Sequence, residues 1–363
     1  MKILVISNYS HNHTVRPEAE IFLALARRGV EVHIMTKQES EYTRLFREEG
    51  IQVSFLHPVK KADKEEIARI RNYIIEHDID ILQLFNNIGI RAGIPAAKGL
   101  PVKVVLYRGY AGNLNKLNPV SYLKHLHPQV DAIICNSIGV KNYLDKQLPR
   151  NVNKTIAINK GHRLEWYADV KPYDIRSELG LPADSFVFVN TANNRTMKGI
   201  PYLLQAVHSL SPDMNCHLVI IGEGMDTPQN KQIIRRGKNT EKIHLLGHRA
   251  NALEIVKASD VFVLSSIKGE SITKSVIEAM SLGIPPIITD IPGNVELVEH
   301  EKSGLVVKRK SFKALAEAMN RLYDNRGFCA QLAENAPRHI RQNLNADTTV
   351  QEYYDFYTQL VNK

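Results

Sequence analysis

The sequence predicts an α/β protein built from two doubly wound domains, each a parallel sheet with helices on both faces. Short apolar runs, typical of buried strands, alternate with helical patterns along most of the chain. At 363 residues the chain also exceeds the size that one hydrophobic core usually supports. The segment from Val261 to Asp290 shows the pattern best, because a buried strand, a helix ended by Gly283 and a second buried strand follow one another. The helical crossover predicts that these two strands are parallel.

The first half of the chain contains six predicted strands. They are KILVIS at residues 2–7, VEVHIMT, IQVSFL, DILQLF, VKVVLY and VDAIICNS. A helix that ends at Gly29 follows the first strand, and KEEIARIRNYIIEHD predicts a second helix. No G-x-G-x-x-G motif follows the first strand, so the sequence gives little support for dinucleotide binding.

The second half repeats the alternation. Strands are predicted in SFVFVN, HLVIIG, KIHLLG, VFVL and IPPIIT, and helices from Gly199, over Asn251 to Ala258 and over Thr273 to Leu282. A final helix, about Thr348 to Val361, has apolar side chains at helical spacing and should therefore bury one face. These side chains are Tyr353, Phe356, Tyr357 and Leu360.

Composition favours a cytoplasmic protein. Hydrophobic residues make up 44% and charged residues 23% of the chain, as in ordinary soluble enzymes. No apolar run is long enough to span a membrane, and the N-terminus resembles a first strand more than a signal peptide. The three cysteines, Cys135, Cys216 and Cys329, show no pairing or metal-binding spacing, which fits a reducing compartment.

The positive charge is concentrated in the first half. The formal net charge is +9; residues 1–170 contain 24 Lys and Arg against 17 Asp and Glu, and the remaining residues 23 against 21. Residues 81–130 contain no acidic residue at all. This face either binds an anionic acceptor or an anionic membrane, or is simply a basic surface. Nucleic acid is not an expected partner, because no binding motif is present.

Two glutamates flank the predicted start of the helix after VFVL. Glu270 lies in the loop before the helix and Glu278 lies inside it. Free backbone N–H groups at a helix N-terminus favour a phosphate, and carboxylates accept hydrogen bonds from sugar hydroxyls. The pattern therefore suits a sugar nucleotide. Alternatively, Glu278 is an ordinary exposed helix residue and Glu270 a loop charge.

A basic loop, ANNRTMKG, precedes the helix that begins at Gly199. Its Arg195 and Lys198 are three residues apart and can therefore point into the same cleft. Preorganised cations would stabilise the negative charge on a departing diphosphate. A solvated basic loop is the alternative interpretation.

The segments GES, VIEAM and SLGIPPIITDIPGNVELVEHEKSGLVV resemble the donor motif of retaining GT-B glycosyltransferases of the family-four type, also described as glycosyl transferases group 1. The resemblance implies two Rossmann-like domains that face each other across a cleft. Residues 1–165 would form the acceptor domain, joined by a returning helix at 346–363. Residues 166–345 would form the nucleotide-sugar donor domain.

The resemblance also implies roles for individual residues. Glu270 would bind hydroxyls of the donor sugar and Glu278 those of the ribose. The diphosphate would be bound by Arg195 and Lys198 and by the backbone at Ser271, Ile272 and Thr273. His248 and Arg249 fall where the base pocket of the family begins. No Asp-x-Asp motif stands in a suitable loop, so we expect no metal and no other cofactor.

The first domain departs from the family in two places. Many members have a Gly-Gly loop after the first strand, where this chain has SHNHTVRPE, and a His near the reacting carbon, where this chain has Arg108. The polar residues expected on the acceptor side are His11, His13, Arg16 and Arg108. Arg108 is also a candidate catalytic residue, because it could hydrogen-bond a donor hydroxyl.

The implied function is a retaining glycosyltransferase. It would transfer a sugar from a UDP- or GDP-linked donor to a hydroxyl of a lipid-linked acceptor or of a cell-surface polysaccharide or lipopolysaccharide. The alternatives are a catalytically degenerate nucleotide-sugar-binding protein and a GT-B nucleotide-sugar epimerase. Peripheral attachment to the inner face of the cytoplasmic membrane, through the basic first domain, is a further hypothesis.

Overall fold

A computed structural model describes residues 1–10, 12–60, 63–149 and 152–362, without the side chains of residues 12–14. The described chain divides into two compact units. The first contains residues 1–161 and 346–362, and the second contains residues 162–345. The boundary expected after residue 165 lies within the second unit.

The sheet of the first unit has seven parallel strands in the order β3-β2-β1-β4-β5-β6-β7. The strands are β1 Lys2–Ile6, β2 Glu31–Met35, β3 Gln52–Ser54, β4 Ile81–Leu84, β5 Lys103–Arg108, β6 Ala132–Cys135 and β7 Thr155–Ala157. The helices that accompany them are α1 Asn12–Arg27, α2 Glu41–Glu48, α3 Lys64–Glu76, α4 Asn87–Ala96, α5 Pro119–Tyr122 and α6 Ile138–Asp145.

The sheet of the second unit has six parallel strands in the order β10-β9-β8-β11-β12-β13. The strands are β8 Phe186–Thr191, β9 Cys216–Ile221, β10 Ile243–Gly247, β11 Val261–Leu264, β12 Pro286–Thr289 and β13 Leu305–Val307. The helices are α7 Ile175–Glu178, α8 Ile200–Ser209, α9 Pro228–Arg236, α10 Ala252–Lys257, α11 Lys274–Ser281, α12 Phe312–Asp324 and α13 Arg326–Asn343. Short 3₁₀ turns lie at Leu164–Tyr167, Thr196–Lys198 and Thr240–Lys242.

Both sheets are buried on both faces. Every residue of β4, β6, β11 and β12 is buried, because helices cover each side and leave no face for polar residues. In each sheet the strand order reverses once, between β1 and β4 in the first unit and between β8 and β11 in the second. The loops on either side of such a reversal diverge at the carboxyl ends of the strands and leave a crevice for a ligand.

The strand, helix and strand predicted over Val261 to Asp290 are confirmed. β11 and β12 pair in parallel, with Phe262 opposite Pro286 and Leu264 opposite Ile288. The helix between them, α11, begins one residue after Thr273, which is its N-cap. Gly283 has a φ of +77°, a left-handed conformation that ends helices and favours glycine.

The last helix, α14 Ala346–Val361, belongs to the first unit and packs against α1. Tyr353 and Tyr357 are fully buried there, which accounts for the aromatic stripe in the sequence. The Tyr357 hydroxyl donates a 2.8 Å hydrogen bond to Gln83 Oε1 on β4. The end of the chain therefore completes the core formed by its beginning.

The cysteines and the hydrophobicity of the helices were the subject of two expectations from composition. Cys135, Cys216 and Cys329 are buried and unpaired. Within the described ranges, no helix combines the length and the apolar character that crossing a bilayer requires.

Gly199, at the start of α8, lies where the loop after β8 packs closely against the loop after β11. Its φ is +64°, and a Cβ there would lie 2.2 Å from the carbonyl oxygen of Ser265. We expect Gly199→Ala to lower the free energy of unfolding by about 3 kcal/mol, since it combines backbone strain with a clash against main chain. Urea denaturation measures the loss.

Gly180 provides the matched control in the same unit. Its φ is +63°, but no atom lies within 4 Å of the Cβ position. Gly180→Ala should cost only the left-handed strain, about 1 kcal/mol. Equal losses for the two variants would show that the two loops are not tightly packed at Gly199.

Candidate functional site

An ion pair joins the two loops that border the strand reversal of the second unit. Lys198 lies in the loop after β8 and Glu270 in the loop after β11, and Lys198 Nζ is 2.5 Å from Glu270 Oε1. Their side chains are only 16% and 10% exposed. The structure thus brings together two of the residues that the sequence indicated, at the edge where parallel sheets bind ligands.

Backbone and side-chain hydrogen bonds hold the same two loops together. Ser265 Oγ donates to the Lys198 carbonyl oxygen at 2.9 Å, and the Ile267 N–H donates to the Met197 carbonyl oxygen at 2.7 Å. Gly199 fits against Ser265 because it has no side chain. The position of Lys198 is therefore fixed by the main chain around it.

Further partners hold the Glu270 carboxylate. Ser266 Oγ donates to Oε1 at 2.7 Å, and Thr273 Oγ1 lies 3.3 Å from Oε2. The same Thr273 hydroxyl lies 2.7 Å from Oδ1 of Asn294. Glu270 is thus a partly buried carboxylate in a defined hydrogen-bond network, which does not fit the alternative of an unattached loop charge.

The N-terminus of α11 lies directly beside Glu270. No described side chain caps this end of the helix, although the Val276 N–H donates to the Thr273 carbonyl oxygen at 3.1 Å. Ser271 and Thr273 are buried and Ile272 is half-buried. The loop after β12 closes over them, since a Cβ on Gly293 would lie 2.5 Å from the Ser271 Cα.

Glu278 lies one turn inside α11 and forms an ion pair with Lys274. Its side chain is 15% exposed, whereas that of Lys274 is 34% exposed. Glu278 is therefore not an ordinary solvent-exposed helix residue. The pair keeps its carboxylate on the same helix end as the backbone groups described above.

Arg195 has a different environment from Lys198. Its side chain is exposed, and it contributes to a cavity of about 750 Å³ in the second unit. Asn194, Thr196, Tyr202, Gln205 and Gln229 also line this cavity. Lys198 instead points to Glu270, so the two cations differ in their surroundings although they are three residues apart.

Arg249 is engaged by a carboxylate that the sequence did not indicate. Its Nη1 and Nη2 donate to Oε1 and Oε2 of Glu178 at 2.6 and 2.9 Å. Its Nε donates to Asn251 Oδ1 at 3.1 Å, and the guanidinium lies over the ring of Tyr173. This bidentate pair ties β10 to α7, while the neighbouring His248 is exposed.

The acceptor-side residues are only partly described. His11 lies outside the described residues, and for His13 only the helical backbone of α1 is described. Arg16 is half-buried on the same helix, near Tyr42. Arg108, at the end of β5, is buried, with its guanidinium turned into its own loop: Nε donates to the Tyr110 carbonyl oxygen at 3.0 Å and Nη2 donates to that of Gly112.

Sequence reasoning missed a buried ion pair near the carboxyl edge of the first sheet. Glu18 accepts a 2.5 Å hydrogen bond from Ser7 Oγ and lies 2.7 Å from Lys160 Nζ. Burial alone would lower the pKa of Lys160, but Glu18 and Tyr107 hold that pKa above its usual value. The signal was the charged Glu18 on an otherwise apolar helix face, whereas its partner, 142 residues away, has no local signal.

The sequence also did not indicate Asn294 and Ser266, which lie beside Thr273 and Glu270 in the second unit. Asn294 is fully buried beside Thr273, and its Nδ2 has no partner among the described residues. The PGN turn after β12 was the available signal, since the carboxyl ends of parallel strands gather ligand-binding loops.

Two family models match this chain. The model of glycosyl transferases group 1 matches residues 173–339, and that of glycosyltransferase family 4 matches residues 19–166. Together they cover most of the sequence, and the chain belongs to the group 1 glycosyltransferases. The predicted fold class, with two Rossmann-like units of the GT-B type, is confirmed.

Curated relatives share moderate identity with this chain. A UDP-Gal:α-D-GlcNAc-diphosphoundecaprenol α-1,3-galactosyltransferase of Escherichia coli is 30% identical over 63% of this chain and 60% of its own length. An N,N'-diacetylbacillosaminyl-diphospho-undecaprenol α-1,3-N-acetylgalactosaminyltransferase of Campylobacter jejuni is 24% identical, with 94% of each chain aligned. The chain spans about half of two further relatives, at 43% and 48% of their lengths.

Solved structures show the same fold. A glycosyltransferase of Rickettsia africae superposes with a TM-score of 0.82 at 16% identity, covering 99% of this chain and 98% of that one. Anabaena HepE in complex with UDP superposes with a TM-score of 0.79 at 19% identity, covering 99% and 100%. At these identities the likeness concerns the fold alone.

The ion pair between Glu178 and Arg249 predicts a pH-dependent stability. Hydrogen bonds from Arg249, and then from Tyr173, lower the pKa of Glu178 from 4.5 to about 2. Because the folded-state pKa is the lower one, the pair stabilises the fold above about pH 4.5, and this stabilisation is lost as the pH falls towards 2. The melting temperature of the wild type should therefore exceed that of Glu178→Gln at neutral pH, and the difference should shrink on acidification.

The control is the same comparison in an Arg249→Gln background. Without the guanidinium, the carboxylate loses its main stabilising partner, and the pH-dependent difference should largely disappear. A difference between wild type and Glu178→Gln that is constant down to about pH 3 would contradict the assignment.

Proposed function

We propose that the protein is a retaining glycosyltransferase that uses a UDP- or GDP-linked sugar and acts on a hydroxyl of a lipid-linked or cell-surface polysaccharide or lipopolysaccharide acceptor. The observation that carries the proposal is the Lys198–Glu270 pair beside the uncapped N-terminus of α11. It places a cation, a hydroxyl-binding carboxylate and a helix N-terminus without a side-chain cap at one crevice. Membership of the group 1 glycosyltransferases supports the same class of reaction.

The donor diphosphate is assigned to the start of α11. The N–H groups after Thr273 and the helix dipole favour a negative group, and Lys198 adds a positive charge. Arg195, exposed in the preceding loop, has the reach of a long side chain and can supply a bidentate contact. These charges stabilise the leaving diphosphate as the glycosidic bond breaks.

The two glutamates are assigned to hydroxyl groups. Glu270, already accepting from Ser266, binds hydroxyls of the donor sugar, and Glu278 binds those of the ribose. Donor binding would weaken the Lys198–Glu270 contact, since the cation then faces the diphosphate as well. His248 is assigned to the base pocket. Arg249 stabilises the loop that carries His248 through its ion pair with Glu178.

Retention is proposed to follow a same-face route. The bond between the anomeric carbon and the diphosphate oxygen breaks, and the acceptor oxygen bonds to the anomeric carbon on the face from which the diphosphate leaves. The acceptor hydroxyl proton passes to an oxygen of the leaving diphosphate. No protein nucleophile and no metal ion are assigned, because Lys198, Arg195 and the helix N-terminus carry the charge stabilisation.

The acceptor class rests on the relatives. Two of them are named for transfer to sugars linked to diphosphoundecaprenol, and another for lipopolysaccharide core biosynthesis. Residues 81–130 contain basic but no acidic residues, which favours binding of an anionic acceptor at a membrane surface. The protein would then work at the inner face of the cytoplasmic membrane.

Nucleotide binding is the first test. UDP or GDP, at about a hundred times its dissociation constant, should stabilise the protein by about 2.7 kcal/mol, and the melting temperature should rise by several degrees with or without EDTA. Lys198→Gln should reduce this rise, whereas Lys313→Gln, an exposed lysine on α12, should preserve it. A shift that EDTA abolishes would contradict metal independence.

Glu270→Gln tests the catalytic assignment. Replacing the carboxylate by an amide of the same shape should lower kcat/KM for transfer by about a hundredfold or more. The amide carries no charge and therefore accepts weaker hydrogen bonds from the hydroxyls of the donor sugar. Glu317→Gln, an exposed position on α12, is the matched control and should keep full activity. Transfer is measured by nucleoside diphosphate release and product formation with a lipid-linked acceptor.

The same assay separates the alternatives. Full activity of Glu270→Gln would contradict the assignment, and nucleotide binding without transfer to any acceptor would favour a degenerate binding protein. Anomeric coupling constants of the product, measured by NMR, report its configuration. An inverted product would exclude the same-face route.

A further inference from the structure

A second cavity lies wholly within the first unit, beyond the end of β5. Its volume is about 220 Å³. The side chains that matter most are Arg108, Lys124 and His125, and Asn87, Asn118 and Ser121 complete the polar wall. All of these residues lie in the part of the sequence that contains no acidic residue, residues 81–130.

Arg108 is a buried cation that has no counter-ion among the described residues. It is 5% exposed, and its guanidinium lies 3.9 Å from the centre of the Tyr110 ring. Two of its nitrogens donate to the carbonyl oxygens of Tyr110 and Gly112, and no carboxylate among the described residues pairs with it. Burying an unpaired charge is costly, so an anion in the cavity would bind favourably.

His125 provides a second and independent indication. It is 3% exposed, and neither ring nitrogen has a hydrogen-bond partner in the described chain. Burial, together with Arg108, Lys124 and Lys154, lowers the pKa of His125 to about 3. The ring is therefore neutral at physiological pH and offers one donor and one acceptor, which suits a partly protonated or hydrated oxyanion.

Lys124 adds a second positive charge to this wall. It is half-buried, and its ammonium group has no partner among the described residues. Together with Arg108 it gives the cavity two cations and no anion. A phosphate or diphosphate is the group whose charge and oxygen atoms fit such a wall.

Exposed apolar side chains in the segment around Val120, which lines the cavity, indicate what carries the anion. Leu117, Val120, Tyr122 and Leu123 are exposed by 83%, 48%, 44% and 53%. These side chains lie on and beside the single-turn helix α5, next to the basic residues Lys116 and Lys124. Exposed apolar groups beside cations are typical of segments that lie in a lipid surface.

We propose that this cavity binds the phosphate or diphosphate of a lipid-linked acceptor, while the exposed apolar side chains from Leu117 to Leu123 contact the lipid around it. The inference rests on the proposed function, since it supplies the acceptor subsite of that reaction. Arg108 and Lys124 then supply the two positive charges of the subsite. His125 hydrogen-bonds an oxygen of the bound group.

The test compares two lysines of the same segment. Lys124 lines the cavity, whereas Lys116 is exposed and does not. Flotation with phosphatidylcholine vesicles that carry a polyprenyl diphosphate should show about tenfold weaker binding for Lys124→Gln, and a change of less than about twofold for Lys116→Gln. Arg108 is unsuitable as the first variant because it also holds its own loop together.

Three further measurements distinguish a lipid-linked diphosphate from free diphosphate and from general membrane charge. Inorganic diphosphate should compete with the vesicles for the wild type but not for Lys124→Gln. Leu117→Ser with Leu123→Ser should weaken vesicle binding and leave binding of inorganic diphosphate intact. Vesicles with an equal charge of phosphatidylglycerol should bind several-fold more weakly than those with polyprenyl diphosphate.

Several outcomes would overturn the subsite. One is an equal loss of vesicle binding in Lys124→Gln and Lys116→Gln. Another is equal binding to vesicles with phosphatidylglycerol and to vesicles with polyprenyl diphosphate. Either result would indicate that the protein binds membrane charge alone. Absence of wild-type binding to diphosphate vesicles would also overturn it. The thermal shift with UDP or GDP separates that result from failure of the proposed function, because it reports on the donor site of the second unit.

Discussion

The ion pair between Lys198 and Glu270 spans the place where the strand order of the second sheet reverses. Parallel sheets of this order leave a crevice there, because the loops after β8 and β11 lead to opposite faces. A partly buried ion pair is costly to form unless further hydrogen bonds support it. Ser266 and the main chain around Gly199 supply that support, so that a cation and a carboxylate are held together at this crevice.

The start of α11, beside Glu270, has no side-chain cap. Most helices of the described chain have a side-chain N-cap, as Ser311 caps α12, but α8, α10 and α11 have none. Thr273 could have capped it, yet its hydroxyl is directed to Asn294 and Glu270 instead. No described side chain therefore occupies this end of the helix, where the dipole and the N–H groups favour an anion.

The first unit handles charge in two contrasting ways. Glu18 and Lys160 form a buried pair in which each charge compensates the other, with Ser7 and Tyr107 around them. Arg108, by contrast, is buried among carbonyl oxygens and an aromatic ring, with no carboxylate beside it in the described chain. An internal pair stabilises a fold, whereas an uncompensated cation beside a cavity favours a ligand that brings its own negative charge.

By itself the sequence determined the fold class, most of the strands and the loops that carry Lys198 and Glu270, because apolar periodicity and glycine positions act over a few residues. The tertiary structure decided which of these side chains meet. Lys198 and Glu270 are 72 residues apart, and Arg249 is 71 residues from Glu178. Such pairs depend on strand order and on helix packing, which no local pattern encodes. For the same reason the sequence did not show that Arg108 hydrogen-bonds its own loop or that His125 is buried.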